Sequence, residues 1–317
     1  MNRNVTVIVP TKNSVKYLLN ALQSIINDIS VSEILILDSS SNDGTQNIVN
    51  KLPKTRLIDC GEMSLPEALN HSINEVHTKY VARMDADDIA LPGRFFLQRE
   101  FLELWDFDLV GSDFSYIGKY SSYLNYIKNR HFTSSNLDVK LIYKSAIVHP
   151  TWFMKTELLS RIRYRTQLAE DYDFLVRAKM SGARFGVIDK VLLYYRLSEL
   201  QSSKTKSVNM LRASAVISNI YVDWCSEISG NKDVLVLKDK LFKDIYNSEK
   251  LIISNIELIS QIKTMAISEM DLKEIFHRML FRLSPDFDLK RLYLYILNQF
   301  GLAFALDCLP MIFRMRK

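Results

Sequence analysis

A chain of 317 residues has room for one large domain, or one domain with a smaller addition. With 48% hydrophobic and 24% charged residues it has the composition of a protein that buries a core, which excludes disorder as its main state. The formal charge of +5 is mildly basic and far from a nucleic-acid-binding extreme, leaving a solvated surface or attraction to anionic substrates or an anionic membrane face.

At the N-terminus, Met1-Asn2-Arg3-Asn4 runs straight into the apolar segment Val5–Val9. That run is too short for the apolar region of a signal peptide and carries no small-residue cleavage site. Cys60, Cys225 and Cys308 are scattered without metal-ligand or redox spacing, a pattern that suits a reducing compartment. A cytosolic or cytosol-facing protein is the expectation, with contact at the cytoplasmic face of a membrane left open.

Val5–Val9, Glu33–Leu37, Arg56–Ile58 and Tyr80–Met84 read as strands. The most aliphatic of them look buried on both faces, as parallel strands are. Between the first two, Val15, Leu18, Leu19, Leu22, Ile25 and Ile26 recur at helical spacing. A second helix runs through Leu65, Ala68, Leu69, Ile73 and Val76, with Ser64 and Glu67 spaced as a capping box and Pro66 in the first turn. This alternation predicts an α/β fold with a mostly parallel central sheet.

Beyond Asp108, residues 114–127 suggest a hairpin or an exposed sheet edge. Thr151–Met154 and Phe185–Leu197 read as strands, separated by a helix over Tyr172–Met180 that Gly182 closes. Polar residues 198–207 read as a linker, which predicts a catalytic domain over 1–203 and a helical region over 204–317. Near the end, Leu292–Phe313 is largely apolar but contains Asn298, Gln299, Asp307 and Pro310, which disfavours a spanning helix. It reads either as a buried packing helix or as a membrane-surface attachment.

Ligands of open parallel sheets bind beyond the carboxyl ends of the strands. Polar residues stand where the apolar runs stop: Pro10-Thr11-Lys12-Asn13, Asp38, and Asp85-Ala86-Asp87-Asp88. Some have structural explanations. Asp43 beside Gly44 reads as a turn and helix cap, Asn13 or Ser14 as a cap of the first helix, and Asp87 and Asp88 as caps of a helix near Leu91-Pro92. The density of the last cluster points further, because carboxylates so close together repel unless a cation or proton intervenes. Oxygen-only ligands suit Mg²⁺ or Mn²⁺, which often take one or two carboxylates and complete their shell with water and phosphates. No glycine-rich phosphate loop is present. A second group, Glu170-Asp171, either complements a helix dipole or supplies a general base.

VTVIVPTKN, LDSSSNDGT, YVARMDADDIALPGRF and AEDYDFLVR, in this order, resemble the family 2 glycosyltransferases of GT-A fold, especially bacterial enzymes of capsule, O-antigen and exopolysaccharide synthesis. The resemblance covers residues 4–203, about two-thirds of the chain. It implies an inverting, metal-dependent transfer from a nucleotide-diphosphate sugar, UDP being the commonest donor type, to a glycan or lipid-linked acceptor. Pro10, Thr11 and Asn13 would line the nucleotide pocket, Asp38 would meet base or ribose, and Arg83 and Asn70 would lie near the nucleotide. Asp85 would reach the ribose or the metal's water shell, and Asp87 would bind the metal. Asp171 would be the base, with Glu170 and His149 near the acceptor or sugar, and Arg196 would serve the diphosphate. Two positions depart from the family pattern: Ser198 stands where histidine is common, and Leu69 where arginine or lysine often precedes the asparagine. A sugar nucleotidyltransferase, disfavoured by the lack of glycine in PTKNS, and a non-catalytic scaffold are the rival readings.

Overall fold

A computed structural model of the chain describes residues 4–118, 137–141, 144–165, 168–197 and 207–229. The order is β1 (Val5–Thr11), α1 (Val15–Ile26), β2 (Val31–Asp38), α2 (Thr45–Val49), β3 (Thr55–Asp59), α3 (Leu65–Ser72), β4 (Tyr80–Arg83), β5 (Ile89–Ala90) and α4 (Arg94–Leu104). There follow β6 (Leu109–Ile117), α5 (Leu137–Lys140), β7 (Phe153–Lys155), α6 (Thr156–Ile162), α7 (Glu170–Met180), β8 (Phe185–Arg196) and α8 (Ser207–Ser229). Short 3₁₀ turns cover Ile73–Glu75 and His149–Thr151.

The strands form one sheet in the order β3-β2-β1-β4-β7-β6-β8-β5. The first four are parallel, β7 is antiparallel to β4 and β6, and β8 runs parallel to β6 and antiparallel to β5. Their sequences explain the burial: Val5, Val7 and Val9 point to one face of β1 and Ile8 to the other, all within the core. Helix α1 covers the sheet with Leu18, Ala21, Leu22 and Ile25, while Val15 and Leu19 lie on its open side.

Local signals act as their chemistry requires. The Ser64 N–H and hydroxyl both donate to Glu67 Oε2, at 2.8 and 2.6 Å, closing the capping box of α3. Gly182, at φ +86°, ends α7: its N–H donates to the Lys179 carbonyl and that of Ala183 to the Ala178 carbonyl. Phe114–Ile117 continue β6 in register with β8 instead of turning a hairpin; the rest of 114–127 beyond Gly118 lies outside the described residues. Gly111 lets Ile147 and the 3₁₀ turn press on β6, since a Cβ there would stand 2.2 Å from Ile147 Cγ2 and 3.0 Å from Thr151 Oγ1.

The chain divides into two compact units, Met1–Ile217 and Ser218–Lys317, and every expected site residue belongs to the first. The expected boundary at 203, Ser198 and the apolar stretch 292–313 lie outside the described residues. Among the described residues no helix is long and apolar enough to cross a membrane.

Candidate active site

The strand order reverses between β1 and β4: β2 and β3 lie on one side, and every later strand on the other. In open sheets such a reversal is where ligands bind, beyond the carboxyl ends of the two strands, here β1 and β4. Thr11–Asn13 and Asp85–Asp88 are the segments that leave those two strand ends.

On the β1–β2 side, Thr11 pairs in register with Asp38, and both side chains are buried. Gln46 Nε2 donates to Asp38 Oδ2 at 2.8 Å. Asp38 Oδ1 and Thr11 Oγ1 are buried without a partner, two oxygens whose desolvation the protein leaves uncompensated. Pro10 is half-buried at the end of the same strand. Asn13 adopts a left-handed φ of 50°; its N–H donates to Ser41 Oγ and its Oδ1 accepts from the Asn42 N–H. Neither Asn13 nor the Ser14 side chain caps α1. Asp43 does so from across the loop, accepting the Val15 N–H at 2.9 Å on Oδ2 and the Thr45 N–H on Oδ1. The structural reading of Asp43 therefore holds for both helices. Burial opposes its charge, but these bonds and the Thr45 hydroxyl outweigh that and lower its pKa.

At the end of β4, Arg83 is buried, and its guanidinium meets Asp85 Oδ1 at 2.6 Å. Burial presses Asp87 toward its neutral form, and the negative field of Asp85 adds to this, raising its pKa to about 6. Asp88 is raised well above the ordinary range by burial and by its two acidic neighbours. Neither Asp87 nor Asp88 caps a helix: residues 89–90 pair with β8, and α4 starts at Arg94 with Gly93 as its cap. Asp88 Oδ1 instead accepts the Arg196 N–H at 2.9 Å, and its Oδ2 is a buried orphan. Arg196 is itself buried. Its Nε donates to the Asp87 carbonyl, its Nη1 to the Gly118 carbonyl, and its guanidinium lies 4.4 Å from the centre of the Tyr17 ring. In this arrangement Arg196 braces the aspartate segment from behind.

The second acidic pair begins α7. Glu170 is raised by burial and by Asp171, while Asp171 is raised by burial against the Ser145 hydroxyl and the Tyr172 N–H, which favour its charge. Asp173, third acid of that turn, is structural: it is buried between Arg165 at 2.9 Å and Arg177 at 2.6 Å. His149 is buried in its 3₁₀ turn, with Nε2 2.8 Å from the Tyr164 hydroxyl and Nδ1 3.9 Å from Glu170 Oε1. Burial and Arg83 push its pKa well down, so it is a neutral buttress behind Glu170. Asn70 lies in a brace of its own: Nδ2 donates to the Tyr164 carbonyl at 2.7 Å, and Oδ1 accepts the Tyr164 N–H at 2.8 Å. Its amide is thereby held by backbone and not turned to a nucleotide, and Leu69 is buried beside a small cavity instead of standing in a polar pocket.

Arg83 joins the two acidic groups. Its charge acts on Asp87, Glu170 and Asp171, and in return Asp85, Glu170 and Asp88 keep its pKa raised against the lowering effect of burial. Two separate acidic groups, at the end of β4 and at the start of α7, thus share one buried guanidinium. Among the described residues no three His, Cys, Asp or Glu side chains converge as a metal cage. The donor set still fits a hard divalent cation in its sparser mode, with Asp87 and Asp85 offering carboxylate oxygens and phosphates completing the shell.

Arg94 and Gln98 escape a reading by sequence pattern. Both are fully buried on α4, one turn apart. Arg94 Nη2 donates to the carbonyls of Arg83 and Pro150 at 3.0 and 2.8 Å, and Gln98 Nε2 to that of Thr151 at 2.7 Å. The pair ties the end of β4 to the His149 turn. Spacing carries a faint signal, since Arg94 and Gln98 share a helix face with the core residues Phe95 and Leu102.

The raised pKa of Asp87 has a consequence for stability. Its folded carboxyl holds the proton more tightly than the unfolded one, so its contribution is present at low pH and is lost as pH rises from 3.8 through about 6. In chelator-treated protein, Asp87→Asn is expected to gain on the order of 1–3 kcal/mol at neutral pH and nothing near the bottom of that window. Thermal unfolding at the two pH values checks this; an equal shift at both would assign the effect to packing.

The profile of Glycosyl transferase family 2 matches residues 6–163. An uncharacterized glycosyltransferase of Methanocaldococcus jannaschii is 29% identical over 204 residues, covering 61% of this chain and 70% of that one. The O-antigen biosynthesis glycosyltransferase WbnJ of Escherichia coli is 26% identical over 156 residues, covering 48% of this chain and 60% of that enzyme's length. Among solved structures, residues 1–349 of S. aureus TarS in complex with UDP-GlcNAc superpose with a TM-score of 0.57 at 17% identity, covering 99% of this chain and 89% of that one.

Proposed function

The chain belongs to glycosyltransferase family 2 and has the GT-A fold, and from that premise we propose that it is a metal-dependent, inverting transferase. The reading takes UDP-sugar as donor and a hydroxyl of a glycan or of a lipid-linked acceptor in bacterial surface polysaccharide synthesis as acceptor. One observation carries it: two distinct carboxylate groups, Asp85–Asp88 and Glu170–Asp171, act on a single buried arginine, Arg83. Displacement at an anomeric carbon needs that division, with a base for the attacking hydroxyl and positive charge for the departing diphosphate.

The unpartnered oxygens of Asp38 and Thr11 suit the N–H and hydroxyl groups of a nucleoside, with Pro10 and Asn13 shaping the wall beside them. Asp87, supported by Asp85, would hold the divalent cation, which supplies charge to the leaving phosphate. Arg83 adds a fixed positive charge between the two groups. Asp171 takes the proton of the acceptor hydroxyl, helped by a pKa raised toward neutrality. The freed oxygen bonds to the anomeric carbon as the bond to the diphosphate oxygen breaks, and the diphosphate leaves with the electron pair. A single displacement of this kind inverts the configuration. Glu170, with His149 neutral behind it, lines the acceptor side of the base.

Incubation with UDP-sugars and Mn²⁺ is the test, reading UDP release and sugar incorporation. EDTA is expected to stop transfer and Mn²⁺ or Mg²⁺ to restore it. Full activity in EDTA would remove the role given to Asp87.

A further inference from the structure

Phe114 and Tyr116 of β6 and Tyr195 of β8 form a three-ring cluster, with centroids 5.3, 5.7 and 5.8 Å apart. Tyr116 pairs with Tyr195 across the parallel ladder, which sets the two phenols side by side. Phe114 and Tyr195 rest on the hydrophobic core, yet all three rings are only half-buried, unlike Phe95, Phe153 and Phe174, which lie fully inside. Among the described residues neither phenol has a hydrogen-bond partner.

The position of the cluster is the informative part. Tyr195 precedes Arg196, whose N–H meets Asp88, and β5 follows the aspartates directly to pair with Tyr194. Asp85 and Asp88 lie near enough to add to the effect of burial on the Tyr195 phenol. The rings therefore border the aspartate segment from the β6–β8 half of the sheet, while Thr11 and Asp38 approach it from the β1–β2 half.

Half-open aromatic faces beside hydroxyls and carboxylates suit a ligand with a C–H face and a polar rim, which describes a pyranose ring. A nucleobase would also stack, but the buried oxygens without partners that would recognise one lie on the other half of the sheet. A lipid chain would leave the phenols and the neighbouring carboxylates desolvated without compensation. We propose that Phe114, Tyr116 and Tyr195 form the subsite for the sugar ring of the acceptor, so that the acceptor is a glycan. The inference rests on the transferase reading above and adds the chemical class of its second substrate.

Saturation-transfer NMR with methyl glucoside, methyl galactoside and methyl N-acetylglucosaminide, in the presence of UDP and diamagnetic Mg²⁺, provides the test. The ring protons of at least one glycoside should receive saturation from the wild-type protein. Tyr116→Leu, which keeps the bulk and loses the aromatic face, should weaken that binding by about tenfold, and Tyr195→Phe, which keeps the packing and loses the hydroxyl, should weaken it less. UDP affinity should stay unchanged in both. A wild-type protein that binds UDP but none of the glycosides would overturn the subsite and leave the transferase reading standing, as would variants that bind the glycoside undiminished. Glycoside binding without UDP binding would sink the donor assignment and uphold the subsite.

Discussion

Asp171→Asn is expected to lower the transfer rate by between about a hundred- and ten-thousand-fold, the range that a positioned general base contributes. The amide keeps the size of the carboxylate and can keep the contact to the Ser145 hydroxyl, so the first turn of α7 should stay in place. What it loses is the ability to accept the proton of the acceptor hydroxyl. UDP binding, measured by calorimetry with Mn²⁺ present, should change by less than about threefold. Loss of nucleotide binding together with turnover would mean that Asp171 organises the site and does no proton transfer. Because the folded pKa of Asp171 is raised, the wild-type rate should also fall on acidification earlier than an ordinary aspartate would dictate. Such a limb should be absent from the residual rate of the variant.

Arg94→Met is expected to be the most destabilising single change near the site. The guanidinium is fully buried, and burial draws its pKa down to about 9. Methionine fills much of the volume but leaves the carbonyls of Arg83 and Pro150 without their donor. Each buried acceptor left alone costs about 1–3 kcal/mol, and relief of the buried charge offsets part of that. A net loss of about 3 kcal/mol corresponds to a fall in Tm of roughly 6–12 °C for a domain of this size. Activity below the transition should fall as well, since the strand end that carries Arg83 is no longer pinned to the turn that carries His149. Arg94→Lys should recover part of both losses. Unaltered unfolding of Arg94→Met would show that the carbonyls find water, and the pinning role would be lost.

Much of the fold was readable from alternation alone. The aliphatic runs at Val5, Glu33 and Tyr80 became parallel strands because nothing polar interrupts either face, and Ser64 with Glu67 marked a helix start by local chemistry. At the end of β6, the Tyr and Ser alternation describes a half-open strand but does not reveal its partner β8, which arrives far later in the chain, as the Asp108–Arg184 contact does. Within the site, residues after strands were visible by position. Their contacts were not. Asn70 looks like any polar residue on a helix until the backbone of Tyr164 arrives to take both ends of its amide. Arg196 looks free for a phosphate until the carbonyls of Asp87 and Gly118 are seen to hold it. Arg94 had no pattern of its own, because a buried guanidinium that serves carbonyls leaves no acidic partner in the sequence to betray it.

The link between Asp88 and the backbone of Arg196 joins residues separated by 108 positions. During synthesis on the ribosome, the four parallel strands can assemble from neighbours as they emerge, but the aspartate turn lacks its bond to the Arg196 backbone until β8 has left the tunnel. A nascent chain halted before residue 196 would carry Asp88 without that tie. The aspartate turn therefore gains its final backbone tie late, with the last strand among the described residues.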